Sequence, residues 1–248
     1  MNSPDLYHAS MEDLLILARK KYDVTFETIN IGKYGLKILQ LADMGSHIED
    51  LAEQVRNEEK LELPFWAMIW PSSILLSHFI QRMDPAKGSA MLEIGAGVGI
   101  CGLFAAKHGF EVTLTDISDD ALLFAQINIL KNGLQNNARV QKIDFTQSAG
   151  PQAYDFIIGS EVTYVEDTYR SLVKFLLNTL KPEPGAEVIL SKNYKLKAKK
   201  FFSLAEKEFA IKTQTIGYKE RTEKEQSAAP EKHLSQIIRM RPKRVCSC

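Results

Sequence analysis

Between Met91 and Ile100 the chain reads Met-Leu-Glu-Ile-Gly-Ala-Gly-Val-Gly-Ile, a strand-like apolar run that ends at Ile94 and meets three glycines at alternating positions before a helix-like stretch begins. Glycine turns the backbone tightly and lets N–H groups approach a ligand with no Cβ in the way. A strand–glycine–helix junction of this kind belongs to α/β architectures in which a parallel strand feeds a helix, with ligands bound beyond the strand's carboxyl end.

The remainder of the chain after Ser89 fits that architecture. Short apolar or β-branched runs predict strands over 90–94, 111–115, 139–143, 154–159 and 186–190. Helical spacing predicts helices over 100–108, 119–132 and 168–180, with one strand pair joined more directly. Strands of this composition alternating with helices imply a parallel sheet covered on both faces. A further helix near 198–207 and strand-like runs over 209–216 and 234–240 would close the sheet with an antiparallel edge, while polar 219–231 reads as a mobile loop. The fold class is therefore α/β, a Rossmann-like, mostly parallel sheet. Before it comes an N-terminal extension, 1–63, with a helix over 11–20, a hairpin of strands 24–31 and 36–41 around Gly32-Lys33-Tyr34-Gly35, and a helix over 46–59. The second unit, 64–248, opens on Pro64-Phe-Trp-Ala-Met-Ile-Trp-Pro71, too proline-bracketed for regular helix, and Pro71 suits the first turn of the helix that follows.

Charge and cysteine content narrow the function classes. Lysine plus arginine total 31, aspartate plus glutamate also 31, so the formal net charge is zero and gives no global argument for nucleic-acid binding by counterion release. The acidic run around 49–62 and the basic runs 192–200 and 239–244 read as solvated faces. Cys101, Cys246 and Cys248 form neither a CxxC pair nor a disulfide framework, and no metal site is expected. The N-terminus lacks the charged and apolar regions of a signal peptide, and Pro71, Ser72, Ser73 and His78 interrupt the longest apolar stretch. The expectation is a cytoplasmic, monomeric protein with no membrane association.

The chemistry centres on the ends of the strands. The glycines allow two registers: Gly95, Gly97 and Gly99 as GxGxG, or Gly97, Gly99 and Gly102 as the GxGxxG of dinucleotide folds. In the second, the first glycine is delayed from the strand by Gly95-Ala96, and a carboxylate at Glu93 does little for a pyrophosphate. A nucleoside carrying a sulfonium and an α-amino group is positive and gains from it. Asp116, about 20 residues on at the end of the second strand, is placed to accept from ribose hydroxyls, or it is the signal of the next helix, a role Ser118 or Asp119 could fill instead. Asp144-Phe145 after the third strand could supply an adenine-amino acceptor and an apolar wall, or a structural turn. Gly159-Ser-Glu-Val-Thr-Tyr164 after the fourth could present a carboxylate and a phenol to an amine, or start a helix.

Together, Phe65-Trp-Ala-Met-Ile-Trp-Pro71, Glu93-Ile-Gly-Ala-Gly-Val-Gly99, Leu114-Thr-Asp116, Asn128 with Asn132, Asp144-Phe145 and Glu161-Val-Thr-Tyr164 resemble the methyltransferase family 16 type, a seven-strand class that includes protein lysine methyltransferases. The likeness is close from Pro64 to Leu190 and looser beyond. It implies a site for S-adenosylmethionine, released as S-adenosylhomocysteine, formed by Trp70, Glu93, Gly95, Ala96, Gly97, Gly99, Asp116, Asp144, Phe145 and Ser160. Glu161 and Tyr164 match the family's (Asp/Glu)-x-x-Tyr motif and are the implied catalytic pair. Phe145 stands where many members have Trp and Ser160 where many have Ala. The Asn/Asp-Pro-Pro-Tyr motif of amide and nucleobase methylation is absent. The resemblance implies methylation of a lysine side chain on a protein partner. A small-molecule N- or O-methyltransferase, a nicotinamide-dependent oxidoreductase using the other glycine register, and a non-catalytic binding module are the alternatives.

Overall fold

The left-handed backbone of Gly95, Gly97 and Gly99 (φ 58°, 54° and 90°) carries the chain from one layer of the molecule to the next. The computed structural model describes residues 6, 8–45, 64–148, 150, 153–219 and 232–243. The helix predicted over 46–59, nearly all of the polar 219–231 loop and the Cys246/Cys248 tail lie outside them.

The N-terminal part comprises helix α1 (Met11–Lys21) and the antiparallel hairpin β1 (Val24–Ile31) and β2 (Tyr34–Leu41). After a short 3-10 turn, Phe65–Ala67, come α2 (Pro71–Ile80), β3 (Ala90–Ile94), α3 (Ile100–His108), β4 (Glu111–Asp116), α4 (Asp119–Lys131), β5 (Ala138–Lys142) and β6 (Phe156–Ser160). A second 3-10 turn, Glu166–Thr168, leads into α5 (Tyr169–Thr179), β7 (Glu187–Asn193), α6 (Lys199–Glu208), β8 (Phe209–Lys219) and β9 (Lys232–Pro242). The second sheet has seven strands in the order β5-β4-β3-β6-β7-β9-β8. Its first five strands are parallel and β9 pairs antiparallel with both β7 and β8. This is the Rossmann-like sheet with an antiparallel edge that the pattern of the chain implies.

Several boundaries differ from the sequence reading for identifiable reasons. The hairpin loop is only Gly32-Lys33, because Ile31 pairs with Tyr34 and Gly32 takes the positive φ of 57°. The strand predicted from 154 begins at Phe156: Tyr154 makes an isolated bridge to Leu180, and the Asp155 carboxylate accepts from the Ala90 N–H (2.8 Å) and from Lys181 Nζ (2.9 Å). The last two strands run longer than their apolar stretches, since each satisfies the other's backbone from Phe209↔Pro242 to Lys219↔Lys232.

Helices cover both faces of the sheet. On one face β3 contributes Leu92 and Ile94 to a core closed by Leu172, Phe175 and Leu176 of α5 and Phe201 of α6. The opposite face packs Met91 against α3 and α4, and this second core extends without a break into Leu14, Ala18, Ile31, Ile38 and Leu39 of the N-terminal elements. Helix α3 is apolar all round because it lies between sheet and hairpin, and every residue from Ile100 to Ala106 is buried.

Polar groups fix the hairpin to that face. Asn128 of α4 and Asn132, which caps its C-terminus, lie one turn apart and present their amides to the same side. Asn128, fully buried, accepts from the Leu39 N–H (2.7 Å) and donates to the Val98 carbonyl (3.0 Å). Asn132 pairs with Lys37 as a strand edge would, accepting from its N–H (2.9 Å) and donating to its carbonyl (2.8 Å). At the start of α4, Asp120 accepts from Tyr22 Oη (2.8 Å) and Lys21 Nζ (2.6 Å). The N-terminal elements thus share one core with the sheet and reach its glycine loop through the Asn128 side chain. Asn128→Ala leaves a buried donor and a buried acceptor unpaired and should lower unfolding free energy by about 2–4 kcal/mol, against about 1 kcal/mol for the half-exposed Asn132→Ala. Urea denaturation of the two variants checks the difference; equal losses would remove Asn128 from this role.

Candidate active site

The ends of β3, β4 and β6 converge on the glycine loop, and hydrogen bonds from several elements determine its course. Ala96 N–H donates to the Thr115 carbonyl (2.9 Å) and Gly99 N–H to the Ala96 carbonyl (2.8 Å). Asp116 sits beside it: one carboxylate oxygen accepts from Gly97 N–H (2.9 Å) and the other from Ser118 N–H (3.0 Å). The cap of α4 is Ser118, whose hydroxyl accepts from Ala121 N–H (3.2 Å), so Asp116 is not consumed by capping and remains partly exposed at the carboxyl edge. A Cβ on Gly97 would lie 2.4 Å from the Trp66 carbonyl, and one on Gly95 3.0 Å from the Val162 side chain. Gly97 thus requires glycine for space as well as for φ, while at Gly95 the positive φ is the stronger demand.

Glu93 lies beneath this loop rather than in the cleft. It is 2% exposed, and its carboxylate accepts from Gly102 N–H (2.8 Å) in the first turn of α3. A Cβ on Gly102 would come within 2.5 Å of that carboxylate, which accounts for the last glycine of the alternative register. Burial pushes the Glu93 carboxyl up to about 8 against the pull of these amides, with the charge of Asp116 adding to the rise.

Asp144 forms a turn. Its carboxylate accepts from the Thr146 N–H (2.8 Å) and hydroxyl (2.6 Å) and from Gln147 Nε2 (2.8 Å). The Thr146 hydroxyl above all, then the Thr146 N–H, holds its pKa below the usual aspartate value. Phe145 follows it, half-buried, with its ring 6.3 Å from Phe175 of α5. Trp70 is half-buried ahead of α2, its ring 6.1 Å from Phe65 and its indole N–H directed to the Phe65 carbonyl (3.3 Å). The other tryptophan, Trp66, packs edge-on to Tyr22 and Phe124, at 5.7 and 4.9 Å, and so ties the N-terminal helix to the loop.

At the end of β6, Ser160 and Glu161 meet the first turn of α2. Ser72 Oγ donates to Glu161 Oε1 (2.7 Å) and lies 2.9 Å from Ser160 Oγ. Asn193 N–H, at the end of β7, donates to the same Glu161 oxygen (2.6 Å), and Glu161 N–H donates to the Ser191 carbonyl (2.9 Å). Glu161 takes a φ of 55°, a conformation that costs a non-glycine residue about 1–2 kcal/mol and persists only where surrounding contacts impose it. Burial raises its pKa, opposed by the Ser72 and Asn193 donors and by the charge of Lys192. Lys192 is itself 2% exposed, donates to the Asn193 and Leu196 carbonyls, and is lowered in pKa by burial.

Tyr164 does not join this group. No helical turn joins Glu161 to Tyr164: 161–165 is irregular and the 3-10 turn starts only at Glu166. Tyr164 instead stands 68% exposed, next to buried Val162 and Thr163, whose carbonyl accepts from Tyr169 Oη (2.9 Å). The structure therefore brings Gly95–Gly99, Asp116, Ser160 and Glu161 to one edge, puts Glu93 below it, and leaves Tyr164 on the rim. Sequence reading missed Ser72 and Asn193, the two donors to Glu161. Only Pro71, which marks the start of α2, hinted that Ser72 lies in a helix's first turn.

A profile of the lysine methyltransferase family matches residues 52–208. Among curated relatives, the chain is 33% identical over 118 residues to the protein N-lysine methyltransferase METTL21A of Danio rerio, covering 44% of this chain and 53% of that protein. It is 36% identical over 115 residues to EEF1A lysine methyltransferase 3 of Xenopus tropicalis, covering 44% and 50%. The matched part thus spans about half the length of these relatives. The fold is shared with the N-methyltransferase NodS of Bradyrhizobium japonicum in complex with S-adenosylhomocysteine, at a TM-score of 0.53 and 14% identity over 79% of this chain and 98% of that one.

The buried carboxyl predicts a pH response. An acid with a raised folded pKa stabilises the fold fully below its ordinary value of 4.5 and loses that contribution as pH rises through about 8. The melting temperature of the wild type should therefore fall between about pH 5 and pH 8.5 more steeply than that of Glu93→Gln, which keeps an acceptor for Gly102 without the charge. Parallel slopes in thermal melts across that range would contradict the assignment.

Proposed function

The chain belongs to the lysine methyltransferase family, and on that premise we propose that it transfers a methyl group from S-adenosylmethionine to a lysine side-chain nitrogen of a protein. The observation that carries the reading is Glu161, fixed by Ser72 and Asn193 at the carboxyl edge, one strand from the glycine loop.

The residues present fit the cofactor. Three left-handed glycines turn the loop tightly at the carboxyl edge, Asp116 offers a carboxylate already oriented by two backbone amides, and half-buried Phe145 and Trp70 supply apolar walls. Gly95, Ala96, Gly97 and Gly99 would line the nucleoside, Asp116 would accept from the ribose hydroxyls, and Asp144 would shape the turn presenting Phe145. Glu93 would act through the loop it supports, and Ser160 would pack beside Glu161. S-adenosylmethionine supplies a methyl group activated by its sulfonium sulfur, a positive centre near which carboxylates are favourable.

The chain's own task is to position and desolvate the amine. An ammonium has no lone pair, so lysine must lose a proton before it attacks, and removal from water lowers its pKa. Glu161 Oε1 is taken by Ser72 and Asn193, which leaves Oε2 without a protein donor among the described residues and available to the amine. The strained backbone and the two donors hold that oxygen in one orientation, the kind of preorganisation from which positioning catalysis draws its rate. Tyr164, on the rim, would contact the acceptor rather than the methyl group.

Glu161→Gln should cut methyl transfer by on the order of 10²-fold or more while leaving cofactor affinity near normal. Asp116→Ala should do the reverse, weakening cofactor binding by about 1–3 kcal/mol. Calorimetry with S-adenosylhomocysteine, and transfer of radiolabelled methyl to proteins of a cell extract followed by mass spectrometry of the modified residue, check both. Full turnover in Glu161→Gln, or a methyl group on a residue other than lysine, would overturn the respective half of the reading.

A further inference from the structure

Two segments leave the carboxyl edge of the sheet side by side, and they are joined at both ends. Near the site, Asn193 N–H donates to Glu161 Oε1; some residues farther out, Lys200 Nζ meets Glu166 Oε1 (2.9 Å). Between these ties one bank carries Tyr164 and Val165, 68% and 41% exposed, and the facing bank carries Tyr194, 41% exposed. Exposed aromatic and aliphatic side chains clustered beside a reactive carboxylate mark a contact surface more often than scattered apolar residues do.

The charges on the two banks differ. The Tyr194 bank presents Lys195, Lys197 and Lys199, all exposed, and Lys197 Nζ lies 4.8 Å from the centre of the Tyr194 ring. None of these three ammonium groups has a carboxylate within ion-pair distance among the described residues, whereas Lys200 is matched by Glu166. The opposite bank keeps Asp167 and the site's own Glu161. A lysine presented to Glu161 therefore passes the unmatched lysines of one bank, and its own positive charge is repelled there unless the surrounding chain brings negative charge with it.

Resting on the reading that Glu161 receives a lysine, we propose that this rim selects a protein segment in which the target lysine is flanked by aspartate or glutamate and accompanied by an apolar side chain. The acidic flanks meet Lys195, Lys197 and Lys199, and the apolar side chain rests among Tyr164, Val165 and Tyr194. Lysines with aromatic rings also suit single-stranded nucleic acid. The lysine acceptor proposed for Glu161 decides for the peptide, and binding of single-stranded nucleic acid is an outcome of the test.

The test uses the full chain with saturating S-adenosylhomocysteine and two fluorescent synthetic peptides. Each has a central lysine and a leucine beside it, with flanks of glutamate in one and lysine in the other. Anisotropy should show the acidic peptide binding at least about tenfold tighter, and that advantage should shrink as salt rises from about 50 to 300 mM. The exposed double variant Lys195→Glu, Lys197→Glu should abolish or invert the preference while S-adenosylhomocysteine affinity stays unchanged, which also serves as the control for folding. Equal binding of the two peptides, binding of neither, a preference for the basic peptide, or a preference indifferent to the double variant would each overturn the proposal. So would tight binding of a single-stranded RNA oligonucleotide that the double variant loses. Selective binding of the acidic peptide without methyl transfer from S-adenosylmethionine would sustain the rim and remove the lysine-methylation reading; transfer without flank preference would do the opposite.

Discussion

The loop between β3 and α3 is fastened by acceptors and donors from four directions, and the arrangement of the site follows from that fastening. Asp116 holds Gly97 N–H from the side, Thr115 holds Ala96 N–H, Glu93 holds the start of α3 from below, and Asn128 takes the Val98 carbonyl from behind. Left-handed glycines have no conformational preference strong enough to maintain such a course alone. The hydrogen bonds supply it, and each is made by a residue whose own position depends on the sheet. Glu93 shows the conflict involved: its carboxyl is buried where charge is unfavourable, yet it is the group that orders the first amides of α3.

One strand over, the end of β6 is fastened in the same way with the roles exchanged. There a carboxylate, Glu161, is the part held, and a hydroxyl and a backbone amide are the holders. The two constructions touch through Val162, whose side chain fills the space that a Cβ on Gly95 would need. Loop and carboxylate are therefore not independent: a shift of the 161–165 segment presses on the glycine turn. Strain at Glu161 is consistent with a residue placed for chemistry, since a glycine there would relieve the backbone and lose the carboxylate.

The N-terminal hairpin extends this logic beyond the sheet. Its buried apolar residues continue the core under α3 and α4, and its backbone at Leu39 is the reason Asn128 is oriented toward Val98. Residues that precede the nucleotide-fold portion of the chain thus complete the support of its loop. The aromatic contact of Trp66 with Tyr22 and Phe124 does the same from the segment ahead of α2.

Much of this was legible in the chain itself. Strand–helix alternation, the glycine run and Pro71 are local signals, and β3, α3 and the start of α2 lie where those signals put them, because apolar periodicity and glycine or proline geometry act on neighbouring residues. Asp116 and Glu161 were legible as carboxylates at strand ends for the same reason. What the chain could not disclose was which groups meet across it. Ser72 reaches Glu161 over 89 positions and Asn128 reaches Leu39 over 89 as well, and no periodicity encodes such pairings. Glu93 reads as a ligand in sequence and lies beneath the loop in the structure, on the Met91 face of β3 that α3 covers. Tyr164 likewise reads as the partner of Glu161 in the (Asp/Glu)-x-x-Tyr motif, and the burial of Val162 and Thr163 leaves it on the surface instead. Local chemistry chose the elements; the burial of side chains from distant elements chose their partners.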